Sequence, residues 1–151
     1  MQNAKLQIQN LLAAFCIFHF AFLIGSCSLP SLESPECAEA RVVAKQFYSF
    51  HFGNDMKPSA ESLKLRERFL TSKFFLEASS DIRTLPIDPF TGTDPPPTTF
   101  KIGKCVSNER EAGFEVQFYW RTDASTTQRT LHVTLVREDD RWLINHIGGH
   151  I

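Results

Sequence analysis

Hydrophobic positions follow three different patterns along this chain, and each pattern predicts a different kind of structure. Residues 11–24 form an uncharged run of aliphatic and aromatic side chains. Between residues 34 and 80, apolar side chains recur every three or four positions, which is the period of an amphipathic helix. After residue 100 they alternate with polar side chains, which is the period of a half-buried β-strand. We therefore expect helices first and strands afterwards.

The first predicted helix has signals at both ends. Ser34 is the expected N-cap, Pro35 suits the first helical position, and Gly53 provides the stop. The positions that helical spacing predicts to face inward are Cys37, Ala40, Ala44, Phe47 and either Phe50 or His51. A long amphipathic helix with an aromatic end follows from this pattern.

Two shorter helices and a loop are predicted next. Residues 59–62 indicate the start of the second helix, whose inward side is expected to carry Leu63 and Leu70, with Arg66 as a further candidate. The third helix is expected over residues 72–78, with Phe75 and Leu76 turned inward. Residues 80–99 are rich in proline, which lacks a backbone donor, so we expect a long ordered loop that covers the domain.

The alternating pattern after this loop predicts strands at residues 100–106, 114–120, 131–136 and 142–147. The segments between them are short and polar, which favours sequential antiparallel hairpins over crossover helices. The predicted fold class is α+β, with three N-terminal helices packed on a curved, about four-stranded antiparallel sheet.

The apolar run near the N-terminus predicts export. It is shorter than the about 20 residues that a membrane-spanning helix needs, and small residues follow it. The stretch Leu23-Ile24-Gly25-Ser26-Cys27 resembles the lipoprotein box of bacteria. This resemblance implies that residues 1–26 are a lipoprotein signal peptide and that Cys27 becomes the lipidated N-terminus. A secreted protein cut nearby and an uncleaved membrane anchor are the alternatives.

The same resemblance implies a location. Several acyl chains such as palmitate on Cys27 would anchor the protein stably, where a single chain is marginal. Ser28, rather than aspartate, follows the cysteine, which implies the outer over the inner membrane, with the domain facing the periplasm. Residues 27–34 are expected to be a short tether and residues 35–151 a single domain.

Charge and cysteine content narrow the classes of partner and fold. The formal net charge is −1, whereas nucleic-acid binders carry an excess of positive charge, so we expect no nucleic-acid partner. With Cys16 in the signal and Cys27 lipidated, Cys37 and Cys105 remain. An exported compartment permits a disulfide between these two, but the sequence does not give their separation in space. A bridge and two free buried thiols are therefore equal alternatives.

The order of elements resembles the cone of the nuclear-transport-factor-2-like superfamily, also called cystatin-like, which includes ketosteroid isomerase and scytalone dehydratase. Within it, the chain is similar to bacterial lipoproteins classed only as a domain of unknown function. The features that carry this resemblance, besides the lipoprotein signal, are Phe47-Tyr48, Arg68-Phe69-Leu70-Thr71, Asp88-Pro89-Phe90, Leu135-Val136-Arg137-Glu138 and Trp142-Leu143-Ile144. The resemblance implies a pocket between sheet and helices, and it implies no particular reaction.

Asp88 is the most suggestive polar residue for chemistry. Beside a pocket mouth it could act as a general base, whereas an aspartate before proline also commonly caps its own backbone in a solvent-facing turn. The other candidates for pocket residues are Tyr48, Tyr119 and His132. His51, His132, His146 and His150 lack the spacing of metal ligands, so no metal and no cofactor are expected.

The leading expectation is a membrane-anchored, non-enzymatic module that binds a small apolar ligand, a cell-envelope component or another protein. The alternative is a cone-pocket enzyme of isomerase or hydrolase type that uses Asp88 with Tyr48 or His132. An enzyme would need Asp88 to face into a closed cavity beside a second polar group, whereas a turn residue would face solvent, so the burial of Asp88 is expected to separate these classes. A third option is a homodimer through the strand face that carries Tyr119 and Arg121.

Overall fold

The computed structural model of the chain describes residues 33–85 and 87–149. The predicted signal peptide, Cys27, the first part of the predicted tether and His150 lie outside the described residues. Within the described residues, three α-helices come first and four strands follow, as the change of period predicts.

Helix α1, Pro35–Phe52, has the predicted ends. Its N-cap is Ser34, whose side chain accepts a hydrogen bond from the backbone of Cys37 at 3.2 Å, and Gly53 is the C-cap. The buried residues of this helix are Cys37, Ala40, Ala44, Phe47, Tyr48 and His51. Of the two alternatives at the aromatic end, His51 faces inward, and Phe50 is only half-buried.

Helix α2, Ala60–Arg66, is shorter than predicted, and a 3₁₀ helix, Glu67–Phe69, follows it. Leu70 therefore does not continue the side of α2 that carries Leu63. Leu70 is buried and forms a parallel β-bridge with Ile144. The backbone of Thr71 donates to the Ile144 carbonyl at 2.9 Å in the same place. This contact fixes the chain before the next helix begins.

Helix α3, Ser72–Thr84, corrects the prediction in two ways. It continues beyond Ala78 to Thr84, so residues 80–84 are helical and not part of the loop. Its inward residues are Phe74 and Ala78, four positions apart, whereas Phe75 is half-buried and Leu76 is 68% exposed. The predicted inward face is wrong because the apolar side of the full helix runs at four-residue spacing through Phe74, Ala78 and the partly buried Ile82.

The strands are β1, Thr99–Ser107; β2, Glu111–Arg121; β3, Thr126–Glu138; and β4, Arg141–Gly148. They lie in the order β1-β2-β3-β4, and each neighbouring pair is antiparallel. The predicted α+β class and the hairpin connections are confirmed. β3 begins at Thr126, before the predicted Leu131. The sequence pattern missed these first residues because they are mostly exposed and show no alternation of buried and exposed positions.

One face of the sheet and the inward sides of the helices bury a common core. From β2 it receives Phe114, Val116 and Phe118, which alternate with less buried residues. None of the helices in the described residues is long and apolar enough to span a membrane.

The first turns of α1 are fastened to edge strand β1. Cys37 and Cys105, whose Cα atoms lie 6.0 Å apart, are joined by a disulfide. The structure thus favours the bridge over two free thiols. The hydroxyls of Ser34 and Ser107 lie 2.7 Å apart beside it. Arg41 donates to the carbonyls of Ile102 and Gly103 at 3.2 and 3.0 Å, and it also pairs with Glu33. The last two residues of the predicted tether, Glu33 and Ser34, thus contact the domain.

Candidate functional site

Three charged or polar side chains meet beneath the loop that follows α3. Nε2 of His51 lies 2.8 Å from Oδ2 of Asp88, and Nε of Arg66 donates to Nδ1 of His51 at 2.7 Å. All three are buried, with 1%, 4% and 0% of their surfaces exposed for His51, Asp88 and Arg66. The structure thus brings the end of α1, the end of α2 and the loop together through an arginine–histidine–aspartate network.

The direction of the hydrogen bonds in this network is set by arginine. A guanidinium only donates, so Nδ1 of His51 must accept, and Nε2 then carries the proton that it donates to Asp88. The imidazole is held as this one neutral tautomer, with both nitrogens occupied. His51 therefore has no free lone pair to take a proton from a substrate or to bind a metal.

Asp88 is both a turn residue and a buried one, so neither sequence interpretation describes it fully. Its Oδ1 accepts from the backbone of Phe90 at 3.1 Å, as expected of an aspartate that caps its own turn. Its Oδ2 accepts from Thr91 Oγ1 at 2.6 Å in addition to His51. The expectation that a turn residue here would face solvent is wrong, because these donors draw the carboxylate inward.

Arg66 was only a minor candidate for an inward position, yet it is the largest fully buried side chain of the described residues. One terminal nitrogen donates to the carbonyl and hydroxyl of Ser62 at 2.6 and 2.7 Å, and the other donates to the Asp55 carbonyl at 2.9 Å. Burial lowers the pKa of Arg66, while the charge of Asp88 acts in the opposite direction. The arginine remains a cation, and Asp88 balances its charge.

Tyr48 packs beside this network without joining it. The residue is fully buried, and its hydroxyl donates to the Phe90 carbonyl at 3.2 Å. Burial, and then the nearby charge of Asp88, raise the pKa of Tyr48 well above its usual value. Tyr48 therefore stays protonated and holds the loop through a backbone carbonyl.

Side chains occupy the space between sheet and helices where the resemblance implies a pocket. Tyr48 and Phe118 make an edge contact with centroids 5.4 Å apart, and Phe47 contacts Phe90 at 5.1 Å. Each of these rings is at most 2% exposed. The centre of the fold is thus packed with aromatic rings at the places where a small apolar ligand would have to lie.

A cleft of about 370 Å³ opens beside Asp88, between the loop and residues 54–58. Its other lining residues are Asn54, Asp55, Met56, Lys57, Pro58, Thr93, Asp94 and Pro96. Three of the nine lining residues are aspartates and one is Lys57, so the cleft carries more charge than the largely apolar pocket that an isomerase-like mechanism would require. Asp88 contributes to the cleft only the small part of its surface that remains exposed.

Tyr119 and His132, the other two predicted pocket residues, lie on the sheet face turned away from the helices. Tyr119 neighbours buried Phe118 in β2, and its hydroxyl donates to Gln117 at 2.9 Å. His132 is exposed and lies opposite Glu115 in the register of β2 and β3. The structure therefore does not bring these residues together with Tyr48 and Asp88. Arg121, predicted with Tyr119 as part of a dimer surface, is exposed.

Potential metal ligands within the described residues converge at one place. Atoms of Glu33, Cys37 and Cys105 lie within 4.8 Å of one another. Both sulfurs are used in the disulfide, and Glu33 pairs with Arg41, which lowers the pKa of Glu33 mainly through their hydrogen bond. The oxidised protein thus offers no suitable thiolate donors at this place.

A groove that no sequence pattern predicts runs along α1. One part, of about 490 Å³, is lined by Glu39, Val42, Val43, Gln46, Arg68, Phe69, Asp140, Arg141, Trp142 and Leu143. An adjoining part, of about 560 Å³, adds Ser49 and Phe50 and shares Gln46, Arg68 and Phe69. We call these two parts together the α1 groove. Its residues come from α1, the 3₁₀ helix and the start of β4, so only the folded chain brings them together.

No protein-family model and no curated protein matches the chain. Among solved structures, a protein of unknown function from Bacteroides thetaiotaomicron is 18% identical, with a TM-score of 0.56 over 74% of this chain and 89% of that one. An NTF2-like transpeptidase from Campylobacter jejuni is 16% identical over 75% of this chain and 99% of that one, with a TM-score of 0.33, which is too low to show a common fold. The chain therefore shares its α+β fold with a bacterial protein of unknown function.

Proposed function

We propose that this chain is a lipid-anchored protein of the bacterial cell envelope whose domain binds a partner protein and catalyses no reaction. The observation that carries the second half of this proposal is the state of Asp88. Its two oxygens accept from Phe90, His51 and Thr91, and both nitrogens of His51 are occupied. Side chains committed in this way stabilise a fold and are poorly placed to move protons.

The packed centre of the fold favours a partner protein over a small apolar ligand. The rings of Phe47, Tyr48, Phe90 and Phe118 occupy the space that a ligand in a cone pocket would need. The α1 groove, in contrast, is an open and partly apolar surface beside helix α1. Binding at a surface therefore suits this domain better than enclosure of a ligand.

We further propose membership of the nuclear-transport-factor-2-like superfamily. The support is the order of elements, with three helices before a four-stranded antiparallel sheet whose strands pair in sequence. This assignment adds no activity, because the fold serves enzymes and binding modules alike.

The anchor rests on the lipoprotein-box resemblance of residues 23–27, and the outer membrane on Ser28. Cys27→Ser should move the protein from the membrane to the soluble fraction and abolish labelling by an alkyne fatty acid. Cys16→Ser is the matched control, because it removes a thiol from the predicted signal and leaves the box intact. Unchanged fractionation and labelling of Cys27→Ser would refute the lipid anchor on Cys27 and leave a secreted protein or an uncleaved membrane anchor as the alternatives.

A second candidate function is an isomerase or hydrolase that uses Asp88, and one observation favours it: Asp88 lines the cleft beside the loop. Hydrolysis of p-nitrophenyl esters by the full chain, lost in Asp88→Asn and in Thr93→Val but kept in Glu77→Gln on α3, would support this enzyme. Thr93 is a wall residue of the cleft that does not bond Asp88 directly, since its hydroxyl donates to Thr91 at 3.2 Å. An inactive wild-type protein, or activity that survives both cleft variants, would count against a hydrolase.

A further inference from the structure

We propose that the α1 groove binds an acidic, partly apolar peptide segment of the partner protein, and that Arg68 receives the carboxylate of that segment. This inference rests on the proposed function as a protein-binding module and names its surface and the chemistry of its partner. It follows from the way Arg68 is held, from the charges at the two ends of the groove and from the apolar residues between them.

Arg68 is held in place by aromatic rings. Its guanidinium lies 4.8 Å from the ring centroids of both Phe50 and Phe69. In the described part of the chain it has no carboxylate partner, although it is exposed and lines both parts of the groove. Stacking of this kind restrains an arginine before it binds, so less entropy is lost when it receives an anion. The donors of Arg68 are therefore available for a planar acceptor such as a carboxylate.

The other end of the groove is close to neutral. Glu39 and Asp140 carry the acidic charges there, and both lie near Arg137, at 3.6 and 3.9 Å. Glu39 also accepts from the indole of Trp142 at 3.2 Å. Arg141 lines the same end, so the charges of the two arginines, 137 and 141, balance those of Glu39 and Asp140. An acidic ligand is thus favoured at the Arg68 end and meets little net charge at the opposite end.

Between these ends the groove offers apolar contact. Val42 is 55% exposed, although it lies on the longest helix of the domain, and Val43, Phe69 and Leu143 border the same space. From Glu39 to Phe50 the helix advances about 16 Å, which matches about five residues of an extended peptide. An occupant of this size can place one or two apolar side chains on Val42 and Leu143 while its carboxylate reaches Arg68.

Selection of a random twelve-residue peptide library on the purified full chain tests this inference. We expect enriched peptides to carry an aspartate or glutamate within about five residues of two large apolar side chains. The affinity of an enriched peptide should fall about tenfold in Arg68→Gln, fall less in Arg68→Lys, and decrease with added salt. Arg83→Gln is the matched control, since Arg83 is an exposed arginine on α3 away from the groove.

The apolar part of the groove has its own matched pair. Val42→Glu places a like charge against the acidic peptide and should abolish binding, whereas Leu76→Glu changes an exposed residue of α3 and should leave binding unchanged. Enriched peptides without acidic residues, or equal binding to Arg68→Gln and wild type, would overturn the inference and leave the binding module standing. Failure to enrich any peptide would also overturn it, and hydrolytic activity that depends on Asp88 would instead refute the proposed function.

Discussion

Nε2 of His51 lies 2.8 Å from Oδ2 of Asp88, a residue 37 positions later in the sequence. This hydrogen bond fastens the loop after α3 to the last turn of α1. Because Arg66 donates to the other nitrogen of the same ring, the charge of Asp88 is balanced through the histidine. The loop is thus held by a buried electrostatic network, and its stability should depend on each member.

Asp88→Asn should destabilise the protein by about 3 kcal/mol, because the buried charge of Arg66 is left without its counter-ion. Urea unfolding followed by circular dichroism measures this difference. Asp94→Asn is the matched control, as it removes a carboxylate from the same loop at an exposed position. Equal unfolding midpoints for Asp88→Asn and wild type would mean that the network contributes nothing to stability.

Local signals in the sequence predicted what local interactions decide. Ser34 and Asp88 each cap the backbone a few residues away, and both were found from residue type and spacing. The pairing of Asp88 with His51 was missed because the two residues lie 37 positions apart, and only folding brings them together. Arg68 was missed as a site residue for the same reason, since its groove is shared by α1, the 3₁₀ helix and β4.

The rotation of α3 was missed for a different reason. Residues 74, 75 and 76 are all apolar, and the predicted helix ends at residue 78, so the four-residue spacing of Phe74, Ala78 and Ile82 that marks the buried side was cut short. The bridge between Leu70 and Ile144, which precedes the helix, holds the start of the helix against the sheet. The end of a helix must therefore be predicted correctly before its buried side can be.

Phe74→Ala and Leu76→Ala form a direct test of this orientation. Phe74 is 5% exposed and Leu76 is 68% exposed, although they lie two positions apart. Loss of the buried ring should cost about 3 kcal/mol or more of unfolding free energy, whereas loss of the exposed side chain should cost less than about 0.5 kcal/mol. Urea unfolding of both variants measures the two costs, and a larger cost for Leu76→Ala would restore the face that the sequence pattern suggested.

Reduction of the Cys37–Cys105 disulfide should lower the free energy of unfolding by about 4 kcal/mol, because the bridge joins residues 68 positions apart and restricts the unfolded chain. Unfolding with and without dithiothreitol measures this effect. The double variant Cys37→Ser with Cys105→Ser is the control, and it should unfold at the same urea concentration with and without the reductant. A wild-type midpoint that ignores reductant would show that the bridge is absent or without effect.

The burial of Tyr48 predicts how stability changes at alkaline pH. The pKa of Tyr48 is raised in the folded protein, mainly by burial, above the value of 10.0 that an unfolded tyrosine has. Above about pH 10 the unfolded chain therefore loses a proton that the folded chain retains, and the free energy of unfolding must fall as pH rises toward the folded pKa.

Tyr48→Phe lacks this proton and the hydrogen bond to Phe90, so it should be about 1 kcal/mol less stable than wild type near pH 7. The difference between the two should shrink, and then reverse, above pH 10. Urea unfolding of both proteins across this range measures it, with Tyr119→Phe as the control from the exposed sheet face. A constant difference at every pH would show that Tyr48 ionises equally in the folded and unfolded states.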